Sequence, residues 1–221
     1  MLPAAVIFDF DGVILDSETP EYESHRRIYE RCGVSLTVEE WCDCIGIYAE
    51  EHDERWHARL RERATQAPTP EEYEAERRRN FVALVPREPR RGIRALLEAL
   101  RDSDVPTAIA SSAPARWVVP AAERIGMTPL FRTIVSGSDV TRGKPAPDVY
   151  LEAARRLGVD PARSVAIEDS APGLASARAA GLKTVAIPHW LTERHELAGA
   201  DLRVAHAGEL TVARLATLLE P

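Results

Sequence analysis

Six short apolar runs alternate with helical periods along this 221-residue chain, and one interval between them is far too long for a simple crossover. The first run, Ala4 to Phe8, ends at Asp9 and Gly12, the pattern of a strand buried on both faces. Similar runs follow at Val105 to Ala110, Thr133 to Val135, Ser164 to Ile167, Thr184 to Ile187 and Leu202 to Val204. Between them, Ile93, Leu96, Leu97 and Leu100 fall at i, i+3, i+4 and i+7. Val149, Ala153, Ala154 and Leu157 follow a similar period with Gly158 placed to stop the helix, and Leu174 to Ala180 ends likewise at Gly181. Strands alternating with helices imply right-handed crossovers, hence an α/β fold with a doubly wound parallel sheet covered by helices on both faces.

The interval from Ser17 to Glu88 breaks the rhythm. It is rich in Glu, Arg and aromatic residues and shows no clear strand. About 70 residues between a first and a second strand exceeds what a crossover needs, so this interval reads as an inserted helical domain. Ala67-Pro68-Thr69-Pro70, followed by Glu71 and Glu72, marks a loop and a helix start within it, and Pro86 and Pro89 mark the return. The expected division is a core of residues 1–16 and 89–221 and a helical insertion of residues 17–88.

Composition narrows the function classes. The chain is 45% hydrophobic and 29% charged, with a net charge of −7 and no basic block, so nucleic acid is not an expected partner. Asp9 and Asp11 interrupt the N-terminal apolar stretch, and no apolar run approaches the roughly 18 to 20 residues of a membrane helix. No membrane partner is expected, and the expected location is cytoplasmic. Three cysteines, Cys32, Cys42 and Cys44, suit a reducing compartment. Zinc would need Cys42 and Cys44 with His52 and His57, whose spacing of five suits neither a helix face nor a finger, so packed thiols are the reading.

Four elements carry chemistry. Asp9-Phe10-Asp11-Gly12 puts two carboxylates two positions apart where a strand ends, so both can face one place. Glu168-Asp169 ends the fourth run, followed by Ser170, Pro172 and a Gly173 turn into a helix. If these strands are neighbours, four acids converge where open α/β sheets bind ligands. Two carboxylates about 4 Å apart repel by roughly 4 kcal/mol at an effective dielectric near 20, so the cluster requires a cation or protonation. Oxygen-only ligands favour Mg²⁺. Lys144, in Gly143-Lys144-Pro145, is one of two lysines, with Lys183, in a chain that otherwise uses arginine. A compact ammonium can sit between a carboxylate and a phosphate without filling the site. Ser111 and Ser112 follow the second strand, where a hydroxyl and adjacent amides suit a phosphate oxygen.

These motifs in this order, DFDG, the strand-end Ser, the GKP lysine and the ED pair, resemble the four motifs of the haloacid dehalogenase superfamily. DFDGVILDSE (Asp9 to Glu18) and EDSAPG (Glu168 to Gly173) are similar to the branch holding β-phosphoglucomutase and phosphoglycolate-phosphatase-like enzymes. The resemblance spans nearly the whole chain. It implies a Rossmann-like core and a helical cap of the C1 type where the insertion falls. It further implies a Mg²⁺-dependent phosphatase of a small phosphorylated metabolite, working as a monomer or homodimer. Asp9 would be the nucleophile and Asp11 the acid and base. Asp9, Asp169 and the Asp11 main-chain carbonyl would hold the metal, with Glu168 in the same shell. Ser111, Ser112, Gly12 and the cap-loop Gly46 would contact substrate or phosphate, and Lys144 would offset charge.

An intact Asp11 favours phosphate chemistry over attack on carbon, and the absence of lysine before Lys144 excludes relatives that form an imine with a cap lysine. The sugar-phosphate mutase stays as the alternative, although Ala49 stands where that resemblance places a phosphate-gripping Arg and Glu21 where it places a His. Arg26, Arg27, Arg55 and Arg59 could supply a replacement cation but read as solvated faces. A non-catalytic phospho-acceptor module is the rival from another class; such modules are shorter and have no use for the insertion. Trp41, Trp56 and Trp117 read as packing residues, and Trp190 as lying near the rim of the site. His25, His189, His195 and His206 read as structural or surface groups, and Asp139 as a surface cap or a helper acid before the lysine loop.

Overall fold

Ala5–Phe8 is buried at all four positions, which suits a strand in the middle of a sheet with helices on both faces. In the computed structural model, which describes residues 1–42, 52–193, 197 and 199–220, this strand (β1) is flanked by β2 (Thr107–Ala110) and β4 (Ser164–Glu168). With β3 (Thr133–Val135), β5 (Lys183–Ala186) and β6 (Leu202–Arg203) they form one parallel sheet in the order β3-β2-β1-β4-β5-β6. The second run starts at Thr107 rather than Val105, because Asp104 turns at φ 56° and Pro106 has no amide hydrogen to donate to a ladder.

The two faces are sorted by the two-residue period of the strands. Val6, Phe8, Ile109, Val165 and Val185 share one apolar cluster with α5 (Ile93–Asp102), α6 (Ala115–Arg124) and α9 (Val212–Thr217). Ile7, Ala108, Ala110, Val135 and Ala166 share the other with α7 (Asp148–Leu157) and α8 (Ala171–Ala179). The predicted positions Ile93, Leu96, Leu97 and Leu100 are the buried face of α5. Gly158, at φ 69°, closes α7 in the left-handed conformation that glycine adopts without steric cost.

Between β1 and β2 run α1 (Glu18–Arg31), α2 (Val38–Cys42), α3 (His52–Arg63) and α4 (Pro70–Leu84). They gather a separate cluster of Tyr22, Ile28, Tyr29, Leu36, Trp41, Trp56, Leu60 and Tyr73. Within it, His25 is buried and shares a 2.5 Å hydrogen bond with the Tyr73 hydroxyl. Thr69 opens α4 with a capping box, its hydroxyl accepting from the Glu72 amide and its own amide donating to the Glu72 carboxylate. One core residue joins this cluster, Leu191, from the loop after β5.

Leu97 is fully buried, whereas Leu151 is 43% exposed on the outer side of α7. Leu97→Ala is expected to lower unfolding stability by about 2–5 kcal/mol, and Leu151→Ala by less than about 0.5 kcal/mol, in urea titrations.

Candidate active site

β1 and β4 are neighbours, so the ends of both strands meet at the point where the sheet order reverses. The Asp9 amide extends the pairing by one more bond, donating to the Ile167 carbonyl at 3.0 Å. Lys144 reaches in from the loop before α7 and is buried. Its Nζ lies 2.7 Å from Asp9 Oδ1 and 2.6 Å from Glu168 Oε1. Tyr150, on the sheet-facing side of α7, donates its hydroxyl to the same Glu168 Oε1 at 2.6 Å. Glu168 Oε2 accepts from the Asp169 amide at 3.2 Å and the Ser170 hydroxyl at 3.3 Å, so the carboxylate is held at both oxygens. The tight fit has a reason at Gly173, where a Cβ would fall 2.1 Å from the Glu168 carboxylate.

The Asp11 carboxylate has different partners. Its Oδ1 accepts from the Ser17 hydroxyl at 2.5 Å and from the Trp117 indole at 2.9 Å. Its Oδ2 lies 3.5 Å from the Ser111 hydroxyl. Gly12 turns the chain between them at φ 74°, and a Cβ there would fall 2.1 Å from Asp169 Oδ2. The Arg90 guanidinium fastens this turn from the far side, donating to the carbonyls of Gly12 and Pro188. Ser112 lies behind the lysine loop, accepting from the Lys144 amide at 3.4 Å.

Burial dominates the electrostatics. It pushes Asp9 up to about 7 against the pull of Lys144, and pushes Asp169 well above the usual carboxylate range with the help of Asp9. Burial also raises Asp11, against the hydrogen bonds from Ser17 and Trp117. Glu18, at the start of α1, is pushed up to about 8 by burial and by the charge of Asp11. Burial disfavours the Lys144 ammonium, but Asp9 and Glu168 more than reverse this and raise its pKa.

The donor set fits a hard divalent cation. One oxygen each of Asp9, Glu168 and Asp169 can be chosen within 4.8 Å of one another. Asp169 Oδ2 is buried without a hydrogen-bond partner, an atom a cation would satisfy. The Asp11 side chain stands outside this group, with its own donors.

The structure therefore brings together Asp9, Asp11, Gly12, Ser111, Ser112, Lys144, Glu168 and Asp169, whereas Gly46, Ala49, Cys44 and His195 lie outside the described residues. Cys42 bonds the Leu191 carbonyl, and His57 bonds the Pro68 carbonyl. Asp139 caps the turn after β3, accepting from the Ser136 amide and hydroxyl, and pairs with Arg156. Arg26 pairs with Glu23 and Glu30, and Arg27 and Arg55 are exposed. Sequence reasoning missed Ser17, Arg90, Trp117 and Tyr150. For Tyr150 a signal existed: a tyrosine in the apolar stripe of a buried helix must find a partner for its hydroxyl. Nothing in the sequence pattern marks Trp117, which is 106 positions from Asp11.

A parallel α/β sheet with acids at two adjoining strand ends and a buried lysine between them has the layout of proteins that bind an anionic ligand in a crevice above the sheet. The chain belongs to the haloacid dehalogenase-like hydrolases, whose family model matches residues 6–187. It is 37% identical over 212 residues to YhcW of Bacillus subtilis, covering 96% of this chain and 95% of that protein. It is 31% identical to the phosphorylated carbohydrates phosphatase of Thermotoga maritima, covering 82% of this chain and 83% of that protein. It is also 30% identical to the beta-phosphoglucomutase of Bacillus subtilis, covering 94% of this chain and 92% of that protein. Among solved structures it is similar to CbbY from Rhodobacter sphaeroides in complex with phosphate, with a TM-score of 0.77 at 27% identity, covering 97% of this chain and 99% of that one.

Asp9 and Glu18 hold protons to about 7 and about 8, against roughly 4 in an unfolded chain. Across that window the folded chain binds more protons than the unfolded one, so stability falls as pH rises. In chelator, the melting temperature is expected to decline from pH 5 to pH 8.5, and Glu18→Gln to flatten the decline. A native profile that is flat or rising in calorimetry contradicts this assignment.

Proposed function

We propose that the chain is a Mg²⁺-dependent phosphatase of small phosphorylated metabolites. One observation carries the reading: the buried Lys144 ammonium pairs with Asp9, while Asp169 Oδ2 lies buried without a hydrogen-bond partner. Such a site can accept a further anion only with a cation present.

Asp9 Oδ2 attacks phosphorus, the ester P–O bond breaks, and Asp11 gives its proton to the departing alcohol oxygen. Asp11 then takes a proton from water, whose oxygen attacks the aspartyl phosphate. The Asp9–phosphorus bond breaks and inorganic phosphate leaves. Lys144 and Ser111 hold phosphoryl oxygens through both steps. The carboxylates of Asp9 and Asp169, with the Asp11 main-chain carbonyl, would hold Mg²⁺, which supplies charge neutralisation between carboxylates and phosphoryl oxygens when bound. Glu168, held on both oxygens by protein donors, fixes Lys144 and would join the metal's shell directly or through water.

The inserted helices act as a cap that closes over the crevice, with hinges at Asp16 to Thr19 and Val85 to Arg90. The contacts between α1 and the loop after β5 support this: Thr19 meets His189 at 3.2 Å, and the Trp190 indole donates to Thr19 at 2.8 Å. Among the described residues no helix is long and apolar enough to cross a membrane, and a cytoplasmic location belongs to the same reading. The mutase reading rests on the beta-phosphoglucomutase relative. Against it, Glu21, which stands where that resemblance places a His, is engaged by Arg77 at 3.1 Å and by His25 at 3.4 Å.

In a phosphate-release screen over sugar phosphates, phosphoglycolate, glycerol phosphate and nucleotides, Mg²⁺-dependent release from several compounds is expected. Asp9→Asn is expected to lower it by at least about a thousandfold. Asp169→Asn is expected to raise the Mg²⁺ concentration needed for half-maximal activity. Isomerised hexose phosphate without net release would establish the mutase instead, and silence on every compound would remove the enzymatic reading.

A further inference from the structure

The Trp117 indole is held on three sides. Its ring meets Phe10 edge-on at 6.4 Å, from the loop that carries Asp11, and Phe81 at 5.2 Å, from the last turn of α4. Its N–H points at Asp11 Oδ1 at 2.9 Å. An indole has one donor and no acceptor, so its ring orientation dictates where that donor falls. The same Oδ1 accepts from Ser17, which precedes α1 at the opposite hinge. With Oδ1 taken by two donors, the carboxylate presents Oδ2 on the side of Ser111, the proposed phosphate contact, 3.5 Å away.

We propose that Trp117 is a positioning residue for Asp11: its N–H fixes which carboxylate oxygen faces the leaving group, and Phe81 ties the angle of that N–H to the inserted helices. The inference rests on the phosphatase reading for the role of Asp11, but the bond itself does not. Ser17 alone could not fix the orientation, because a hydroxyl rotates on its own bond while the indole N–H moves only with its ring. Trp117 thereby joins the helices above the crevice to the group that moves protons within it.

Trp117→Phe keeps an aromatic ring against Phe10 and Phe81 and removes the donor, and the loss of ring volume lowers turnover of both esters alike. An alkyl phosphate needs a proton on its leaving oxygen, whereas p-nitrophenolate leaves without one. The ratio of kcat/KM for p-nitrophenyl phosphate to that for glycerol 3-phosphate is expected to rise about tenfold in Trp117→Phe, part of the 10²–10⁴ that a general acid contributes. An equal loss on both esters marks a merely structural tryptophan and overturns the proposal. In the ¹⁵N-tryptophan-labelled full chain, the indole signal that Trp117→Phe removes is expected to move upfield in Asp11→Ala. An unmoved signal overturns the proposal whether or not the enzyme turns over any ester. A wild type inert on both esters with a signal that does move refutes the phosphatase reading and leaves the bond standing.

Discussion

The site depends on one ammonium held between two buried carboxylates. Lys144 bonds Asp9 and Glu168 at once, and none of the three is appreciably exposed. Burying such charges costs more than a surface pair returns, and apolar residues of similar volume would serve stability at least as well. The arrangement therefore belongs to the chemistry. Removing the ammonium would leave two desolvated carboxylates facing each other, and removing Glu168 would free the lysine to swing away from Asp9. Tyr150 and the Asp169 amide complete the hold from two more directions, so the positive charge is fixed before any substrate arrives.

The same economy appears at the boundary between the sheet and the inserted helices. Leu191 leaves the core to pack among the insertion's aromatic residues, and the Cys42 thiol donates to its carbonyl at 2.9 Å. His189, in the same loop, is 2% exposed and meets both Asp16 and Thr19. The loop after β5 is thus joined to the insertion by apolar and polar contacts together. Trp190, although 46% exposed, meets Tyr22 with its ring and donates its N–H to Thr19.

Much of the core was legible because strand and helix periods are local properties. Ala5–Phe8, Ser164–Glu168 and the stripe from Ile93 to Leu100 need only a few residues of context to declare themselves. The aspartates of the first motif, the Glu168-Asp169 pair and Lys144 were legible for a different reason: buried charge is so unfavourable that residues of these types at strand ends imply a function. Where reasoning from pattern went too far, backbone chemistry corrected it. The second strand loses its first two residues to the turn at Asp104 and to Pro106.

By itself, the sequence determined the order of strands and helices, the place of the long insertion and the acids that meet above the sheet, since each follows from periodicity and from the cost of burying charge. Only the tertiary structure decided how those acids divide. Lys144 bonds Asp9, Asp169 Oδ2 lies buried without a hydrogen-bond partner, Glu168 is locked by protein donors, and Asp11 turns to Ser17 and Trp117. That division rests on hydrogen bonds between residues up to 135 positions apart. A hydrogen bond is short and directional, so it exists only once packing has placed both partners, and no local pattern of residues encodes it.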